Sequence, residues 1–271
     1  MTSASSLAQV VTALERRYPP GTAEPWDAVG LVCGDPAAPV RRILWAVDPV
    51  ESVLDEALAD GVDLVITHHP LFLSGVHSVA ATTAKGRLIH RLIGSGIALY
   101  CAHTNADVAN PGVSDALAVA LGLTSISPLD GTSLGRIGDA DPAVSLADFA
   151  ARVAAVLPST EHGVRVAGDP ARLVHRVAVC GGSGDSLLGL ATDAGADVLV
   201  TADLKHHRAL EHLEEGGCAI VDVAHWASEW PWLAQAAGLL AEDLAAEGTT
   251  VESIVSARPT DPWAMTLRGA L

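Results

Sequence analysis

The chain contains the same βαβ pattern twice, and this repeat limits its fold more than any other feature. A shift of 134 positions aligns residues 42–67 with residues 176–201 without a gap. Two strands joined by one crossover helix lie parallel, with a right-handed connection. We therefore predict an α/β fold of two related halves, with largely parallel strands flanked by helices. The predicted strand, helix and strand are Ile43–Val47, Ser52–Ala59 and Asp63–Thr67 in the first copy and Val177–Cys180, Ser186–Ala194 and Asp197–Thr201 in the second.

A second match, at a different offset, relates Ala98–His103 to Ala219–His225. Both segments predict a buried strand that ends in a histidine, and a carboxylate follows four residues later in each, Asp107 and Glu229. The two matches divide the chain into predicted halves, 1–125 and 126–271. The turn-rich stretch that begins at Thr124 joins them, and the C-terminal segment is alternatively able to pack back on the first half.

Composition narrows the classes of function. The formal net charge of −16 argues against a nucleic-acid-binding protein, because such affinity depends on clustered Lys and Arg. A phosphorylated substrate stays open, since bound divalent cations would supply positive charge. The chain has no run of 18 apolar residues and no basic region followed by an apolar core, so neither a membrane span nor a signal peptide is predicted. Four scattered cysteines predict buried side chains in a reducing compartment, and we expect a cytoplasmic protein.

Two adjacent histidines, His68 and His69, end the apolar run Val62–Thr67. Open α/β sheets bind ligands just past the carboxyl ends of their strands, which is where this pair lies. Imidazole is a common ligand of catalytic transition metals. The pair is therefore the first candidate for a metal site.

Three further residues at strand ends complete a candidate ligand set. On a helix, residues four apart share a face, so His225 and Glu229 would approach one another if a helix starts near His225. Such pairs are usually solvated contacts, but this one follows a buried strand in the half that duplicates the first. Five nitrogen and oxygen ligands suit two divalent ions, Zn, Mn, Fe(II) or Co, at a site between the halves. The set is His68, His69, Asp107, His225 and Glu229.

Other histidines near these strand ends are candidates for proton transfer. His103 duplicates His225 and would orient Asp107 or contact a substrate, or be a structural histidine. His206 and His207 follow the second half's strand, either at the cavity or on a surface helix turn. Gly181–Gly184 fits a tight turn, with Ser183 or Asp185 capping the next helix, better than an anion-binding loop.

Several motifs in order give the chain a family resemblance. It resembles the dimetal proteins called GTP cyclohydrolase I type 2 homologues, the Nif-three-like family. The departures from the family pattern, among them Ala202 and Ala224 where glycine is usual, remove no ligand. The motifs that carry the resemblance are Trp26–Leu31, Thr67–Pro70, His103–Asp107, Gly135–Gly138, Cys180–Gly184 and His225–Glu229.

The resemblance implies the same five metal ligands and a ring-shaped homohexamer whose metal sites face an internal cavity. It also implies a GTP cyclohydrolase-like activity, in which the ring of GTP opens with loss of formate. A metal-activated water suits that reaction and suits hydrolysis of a nucleotide or another small phosphoester equally well. The alternative function is a non-enzymatic metal-binding module for metal handling, assembly or regulation.

Overall fold

A computed structural model of the chain describes residues 4–267 and residue 269. It contains two compact units. The first consists of residues 1–109 and 233–260, and the second of residues 110–232 and 261–271. The predicted halves, 1–125 and 126–271, divide the chain at one point, whereas the first unit takes in a C-terminal segment as well.

The described elements begin and end as follows. The strands are β1 (Ser5–Ser6), β2 (Gly30–Cys33), β3 (Pro39–Val40), β4 (Arg42–Ala46), β5 (Leu64–Thr67), β6 (Ala98–Cys101), β7 (Thr124–Pro128), β8 (Arg136–Ser145), β9 (Arg165–Ala167), β10 (Leu173–Ser183), β11 (Val198–Ala202), β12 (Ala219–Val223) and β13 (Glu252–Val255). The α-helices are α1 (Leu7–Arg17), α2 (Glu51–Asp60), α3 (Ala84–Gly94), α4 (Thr104–Asp107), α5 (Val113–Ala120), α6 (Leu146–Val156), α7 (Leu188–Asp193), α8 (His206–Glu214) and α9 (His225–Ala246), with short 3₁₀ turns at Pro20–Thr22 and Asp185–Leu187. Within these residues, no helix is both long enough and apolar enough to cross a membrane.

The first unit is built on a five-stranded sheet with the order β13-β4-β5-β6-β2. Its strands are parallel except β2, which pairs antiparallel with β6 at the edge. Apolar side chains of α2 and α3, such as Leu54 and Leu88, pack with the sheet residues Leu44, Val65 and Leu99 in one core cluster. The strands of a parallel sheet covered by helices are continuous apolar runs in the sequence. The strands of this sheet could therefore be predicted from the sequence.

The second unit is built on a six-stranded sheet with the order β7-β8-β10-β11-β12-β9. The central strands β10, β11 and β12 are parallel, and β7, β8 and β9 add antiparallel pairs on both sides. Leu188 and Ala191 of α7 pack against Ala178, Leu199 and Ile220 of the sheet. The crossover helix and its two strands thus repeat the arrangement of β4, α2 and β5.

The duplication extends to individual hydrogen bonds. Asp63 Oδ2 accepts hydrogen bonds from the backbone N–H of Arg41 (2.7 Å) and Arg42 (3.0 Å). Its duplicate Asp197 does the same, and Oδ2 lies 2.9 Å from the N–H of His175 and 2.8 Å from that of Arg176. Each donor lies 134 positions from its counterpart. The predicted fold of two related α/β halves is confirmed.

Candidate metal centre

The candidate residues of the first unit follow the carboxyl ends of three neighbouring parallel strands. Asp48 follows β4, His68 and His69 follow β5, and His103 follows β6. The backbone N–H groups of His68 and His69 continue the sheet by donating to the carbonyls of Ala46 (3.2 Å) and Val47 (2.8 Å). The strand ends therefore fix the backbone positions from which both imidazole side chains extend.

Hydrogen bonds to Nδ1 orient both imidazoles of the adjacent pair. His68 is fully buried, and its Nδ1 lies 2.9 Å from the carbonyl oxygen of Ala102. His69 is half-buried, and its Nδ1 lies 2.7 Å from Oδ1 of Asp48. Both partners only accept hydrogen bonds, so Nδ1 carries the proton and Nε2 is left as a lone-pair donor for a metal.

His103 is held in the same way by a buried carboxylate. Its Nδ1 lies 2.9 Å from Oδ1 of Asp27, whose side chain is fully buried. Burial alone would raise the pKa of Asp27, but hydrogen bonds from Thr104 and His103 outweigh it and lower that pKa. Burial, with the nearby His68 ring, lowers the pKa of His103. Both shifts favour a neutral imidazole beside a charged carboxylate.

These three imidazoles form one cluster. A nitrogen of each of His68, His69 and His103 lies within 4.8 Å of the others. Asp107, at the end of α4, has its Oδ1 3.6 Å from Nε2 of His68 but is not a member of that cluster. The first unit therefore brings together the predicted ligands His68 and His69 with His103, and it places Asp107 beside His68.

The second unit holds a histidine–carboxylate pair at the start of α9. The predicted helix begins at His225, and Nε2 of His225 lies 2.9 Å from Oε1 of Glu229. Nδ1 of His225 lies 2.7 Å from Oδ2 of Asp203, and this contact lowers the pKa of Asp203. The Glu229 side chain is only 4% exposed. The interpretation of this pair as a solvated surface contact does not fit that burial.

Gly182 leaves room for this pair. A Cβ on Gly182 would lie 2.6 Å from Oε1 of Glu229 and 3.3 Å from Nε2 of His225, and its φ of +71° is in the left-handed region. Its N–H donates to Oγ of Ser228 (2.8 Å). The prediction that Ser183 or Asp185 caps the next helix is wrong, since neither of the two helical turns that follow has a side-chain cap. The glycines instead let strand β10 approach α9.

His206 and His207 lie at the first two positions of α8 and are exposed. Their rings contact each other edge to face, with centroids 5.1 Å apart. Neither is among the metal-competent clusters of the described residues. A role of His206 or His207 in proton transfer stays a prediction.

Three carboxylates that orient the histidines were not singled out from the sequence. Asp48 lies two residues past β4, and Asp203 directly follows β11, with a φ of +58°. Asp27 lies in the loop before β2. A search for carboxylates just past the ends of strands adjacent to a histidine-bearing strand would have found the first two. Asp27 carries no such signal, because its loop is distant in sequence from His103.

The donor set fits transition metals. Nitrogen and carboxylate oxygen without thiolate suit Zn, Mn, Fe(II) or Co. The separation of 2.9 Å between Nε2 of His225 and Oε1 of Glu229 is close to that of two ligands on one ion, with bonds of about 2.0–2.1 Å. Nδ1 of all four histidines meets an acceptor, the arrangement that metal-ligating histidines adopt.

Comparison with known proteins identifies the family. The profile of Duf34/NIF3 (NGG1p interacting factor 3) matches residues 5–262. The chain belongs to the Duf34/NIF3 family. A Streptomyces coelicolor family relative named GTP cyclohydrolase 1 type 2 homolog is 49% identical over 265 residues, covering 95% of this chain and 93% of the relative. A Mycobacterium tuberculosis protein of the same name is 36% identical over 369 aligned positions, covering 95% of this chain and 96% of that protein.

Solved structures of Duf34/NIF3 relatives agree with the fold. A Bacillus cereus protein related to NIF3 superimposes with a TM-score of 0.89 at 25% identity, covering 97% of this chain and all of that chain. A Staphylococcus aureus hypothetical protein gives a TM-score of 0.88 at 31% identity, covering 96% and 99% of the two chains. The family resemblance inferred from the sequence motifs is therefore confirmed.

Proposed function

We propose that this protein binds two divalent metal ions and uses them to hydrolyse a nucleotide or a related small molecule. The proposal rests on the hydrogen bond that orients each of the four site histidines. In each of His68, His69, His103 and His225, Nδ1 is held by an oxygen acceptor, which leaves Nε2 as the donor. Hydrogen bonds of this kind fix the tautomer and the ring orientation of metal-ligating histidines and raise metal affinity.

The proposed ligands are the five residues predicted from the sequence. His68 and His69 supply imidazole nitrogens, and Asp107 beside His68 supplies a carboxylate. His225 and Glu229 supply a nitrogen and a buried carboxylate. Bound metal ions would lower the pKa of a coordinated water toward neutrality and polarise the bond to be broken. Two of the ligands, Asp107 and Glu229, are carboxylates able to bridge ions.

His103 is proposed to hold or move a proton at Nε2 during the reaction. Its Nδ1 is fixed on Asp27, and its ring lies 5.1 Å from His68 and 5.4 Å from His69 between centroids. A neutral imidazole so placed is able to accept a proton, and the Asp27 carboxylate would stabilise the resulting cation. His206 and His207, exposed at the start of α8, remain the other candidates for proton transfer.

The name of the relatives and the charge of the chain guide the choice of substrate. Relatives named GTP cyclohydrolase 1 type 2 homolog favour a nucleotide or a similar compound. A chain with a net charge of −16 would need bound cations to attract a phosphorylated substrate. We further propose a cytoplasmic homo-oligomer, a hexamer by family resemblance, which light scattering on purified protein would test.

The test is turnover by the metal-loaded protein. Protein reconstituted with Zn, Mn, Fe(II) or Co is assayed with GTP, other nucleotides and simple phosphoesters. We expect at least one substrate to turn over and His68→Ala to lose most of that activity, because the metal-activated water is lost with the ligand. His90→Ala, an exposed residue of α3, is the matched control and should keep full activity. Full metal occupancy without turnover of any substrate would contradict a hydrolase and favour the metal-binding module.

A further inference from the structure

A cavity of about 580 Å³ opens beside His69 within the first unit. Its volume lies in the range of small-molecule sites, which is about 300–1,000 Å³. One wall is the start of α2, from Val50 to Ser52, and the other is the start of α3, from Ala84 to Leu88. Asp48 and His69 lie on the same lining, so the cavity reaches the carboxylate that orients a proposed metal ligand.

The lining of this cavity is mainly apolar. Most of the apolar lining comes from five side chains, those of Pro49, Val50, Pro70, Leu71 and Leu88. Surfaces of this kind recognise the ring or chain of a ligand through burial of apolar area and not through hydrogen bonds to hydroxyl groups. The lining therefore suits the compact, apolar, ring-sized part of a ligand.

The charges around the cavity leave one cation without a partner. The Asp48 carboxylate accepts hydrogen bonds from His69 and from the hydroxyl of Thr260, and Glu51 forms an ion pair with Arg91. Lys85 makes no ion pair with any described residue, and its Nζ lies 6.0 Å from the centroid of the Phe72 ring. The chain contains only two lysines, Lys85 and Lys205, and one of them lies at this cavity. An otherwise acidic protein thus offers an uncompensated positive charge here.

We propose that this cavity is the substrate pocket of the metal site, and that it takes a small molecule with an apolar, ring-sized body and an anionic group. The apolar body would pack between the starts of α2 and α3, with the anion, a phosphate or a carboxylate, at Lys85. The remaining end of the molecule would face His69. The assignment of a substrate rests on the proposed function, whereas the binding of such a ligand does not.

The test measures binding without turnover. Titrations follow 1-naphthyl phosphate, 1-naphthoate and neutral 1-naphthol with metal-free protein, by calorimetry or by naphthyl fluorescence. We expect both anions to bind more tightly than 1-naphthol, and the phosphate-to-carboxylate ratio identifies the preferred anion. Lys85→Gln should weaken both anions about two- to fivefold and leave 1-naphthol unchanged, as expected for loss of one exposed charge pair. Lys205→Gln, which changes the other lysine, should bind all three like wild type.

Two further variants test the position of the ligand. Ala84→Trp and Ser52→Trp place a large ring on opposite walls at exposed positions, where folding tolerates it. Both should lose binding of all three compounds. Wild-type affinity in these two variants, equal binding of the anions and 1-naphthol, or an equal effect of Lys85→Gln and Lys205→Gln would overturn the pocket. A protein that binds these anions but takes up no metal when it is reconstituted would instead contradict the hydrolase and leave the pocket as a ligand site.

Discussion

His225 and Asp203 lie 2.7 Å apart, from Nδ1 to Oδ2, although 22 residues separate them. The carboxyl ends of the neighbouring parallel strands β11 and β12 bring them together, since Asp203 directly follows one and His225 lies two residues past the other. The first unit repeats the relationship with His69 and Asp48, also at 2.7 Å. In both units a strand-end carboxylate fixes a strand-end imidazole.

Removal of the Asp203 charge should weaken metal binding without unfolding the protein. Asparagine tolerates the positive φ of 58° at this position, so Asp203→Asn changes the charge and keeps the backbone. We expect about a 10- to 100-fold loss of metal affinity, measured by competition with a chelator. Asp185→Asn, an acidic residue of the same unit that pairs with Arg208, is the control. Equal affinity in both variants would show that Asp203 does not orient a ligand.

Gly182→Ala should disrupt the His225–Glu229 pair. The added Cβ would meet Oε1 of Glu229 at 2.6 Å, and the residue would have to adopt a φ of +71°. We expect loss of bound metal and a stability lower by about 1–3 kcal/mol, from strain and displaced side chains. Gly189→Ala is the matched control, because nothing lies within 4 Å of its Cβ and it lies in helix α7. Denaturant titration and metal analysis compare the two, and a Gly182→Ala protein that keeps its metal would contradict the close approach.

The ion pair between Arg17 and Asp243 ties α1 to the later part of α9. It is bidentate, with distances of 2.7 Å from Nε to Oδ2 and 2.6 Å from the second nitrogen to Oδ1. Asp243→Asn should lower stability by about 1 kcal/mol, because both side chains are partly exposed. Glu242→Gln, the neighbouring acid on the same helix, should leave stability nearly unchanged.

The same pair gives stability a pH dependence. The hydrogen bond from Arg17 lowers the pKa of Asp243 in the folded protein. Its contribution is therefore complete above the unfolded carboxyl pKa of about 3.9 and is lost as the pH falls through the lower folded value. Between wild type and Asp243→Asn, the difference in free energy of unfolding should shrink from pH 6 to pH 3. A constant difference over this range would contradict the ion pair.

Tyr100 should tolerate loss of its hydroxyl. The side chain is fully buried, its hydroxyl meets no hydrogen-bond partner among the described residues, and burial raises its pKa. Removal of a buried polar atom without a partner costs nothing, so Tyr100→Phe should be as stable as wild type or more stable by about 1 kcal/mol. Tyr100→Leu, which leaves a void instead, should be destabilised by about 1–3 kcal/mol. Thermal unfolding distinguishes these results, and a marked loss in Tyr100→Phe would reveal a partner for the hydroxyl.

Much of the fold was predictable because buried parallel strands have a strong sequence signal. The predicted strand Asp63–Thr67 is β5 to within one residue, and the crossover helix Ser52–Ala59 is α2 with one residue more at each end. The antiparallel strands at the edges of the second sheet were not predicted. Strand β7, for example, is largely exposed and therefore lacks a continuous apolar run.

The histidines proposed as ligands were predictable for the same reason, since they follow strands that the sequence reveals. Their orienting partners depend on tertiary structure. Asp27 reaches His103 across 76 residues, and Gly182 is explained only by a side chain of α9. The spacing of residues along the chain does not predict such contacts. The cavity beside His69 also depends on tertiary structure, because residues at the starts of α2 and α3 form its walls.

The most direct test of the account is the metal content of the purified, reconstituted protein, measured by inductively coupled plasma mass spectrometry. We expect two divalent ions per chain. His68→Ala and Glu229→Gln, one variant from each unit, should each lower that number, while His90→Ala keeps it at two. A wild-type protein that holds no ion after reconstitution, or a His68→Ala variant that holds as many ions as wild type, would contradict the metal centre.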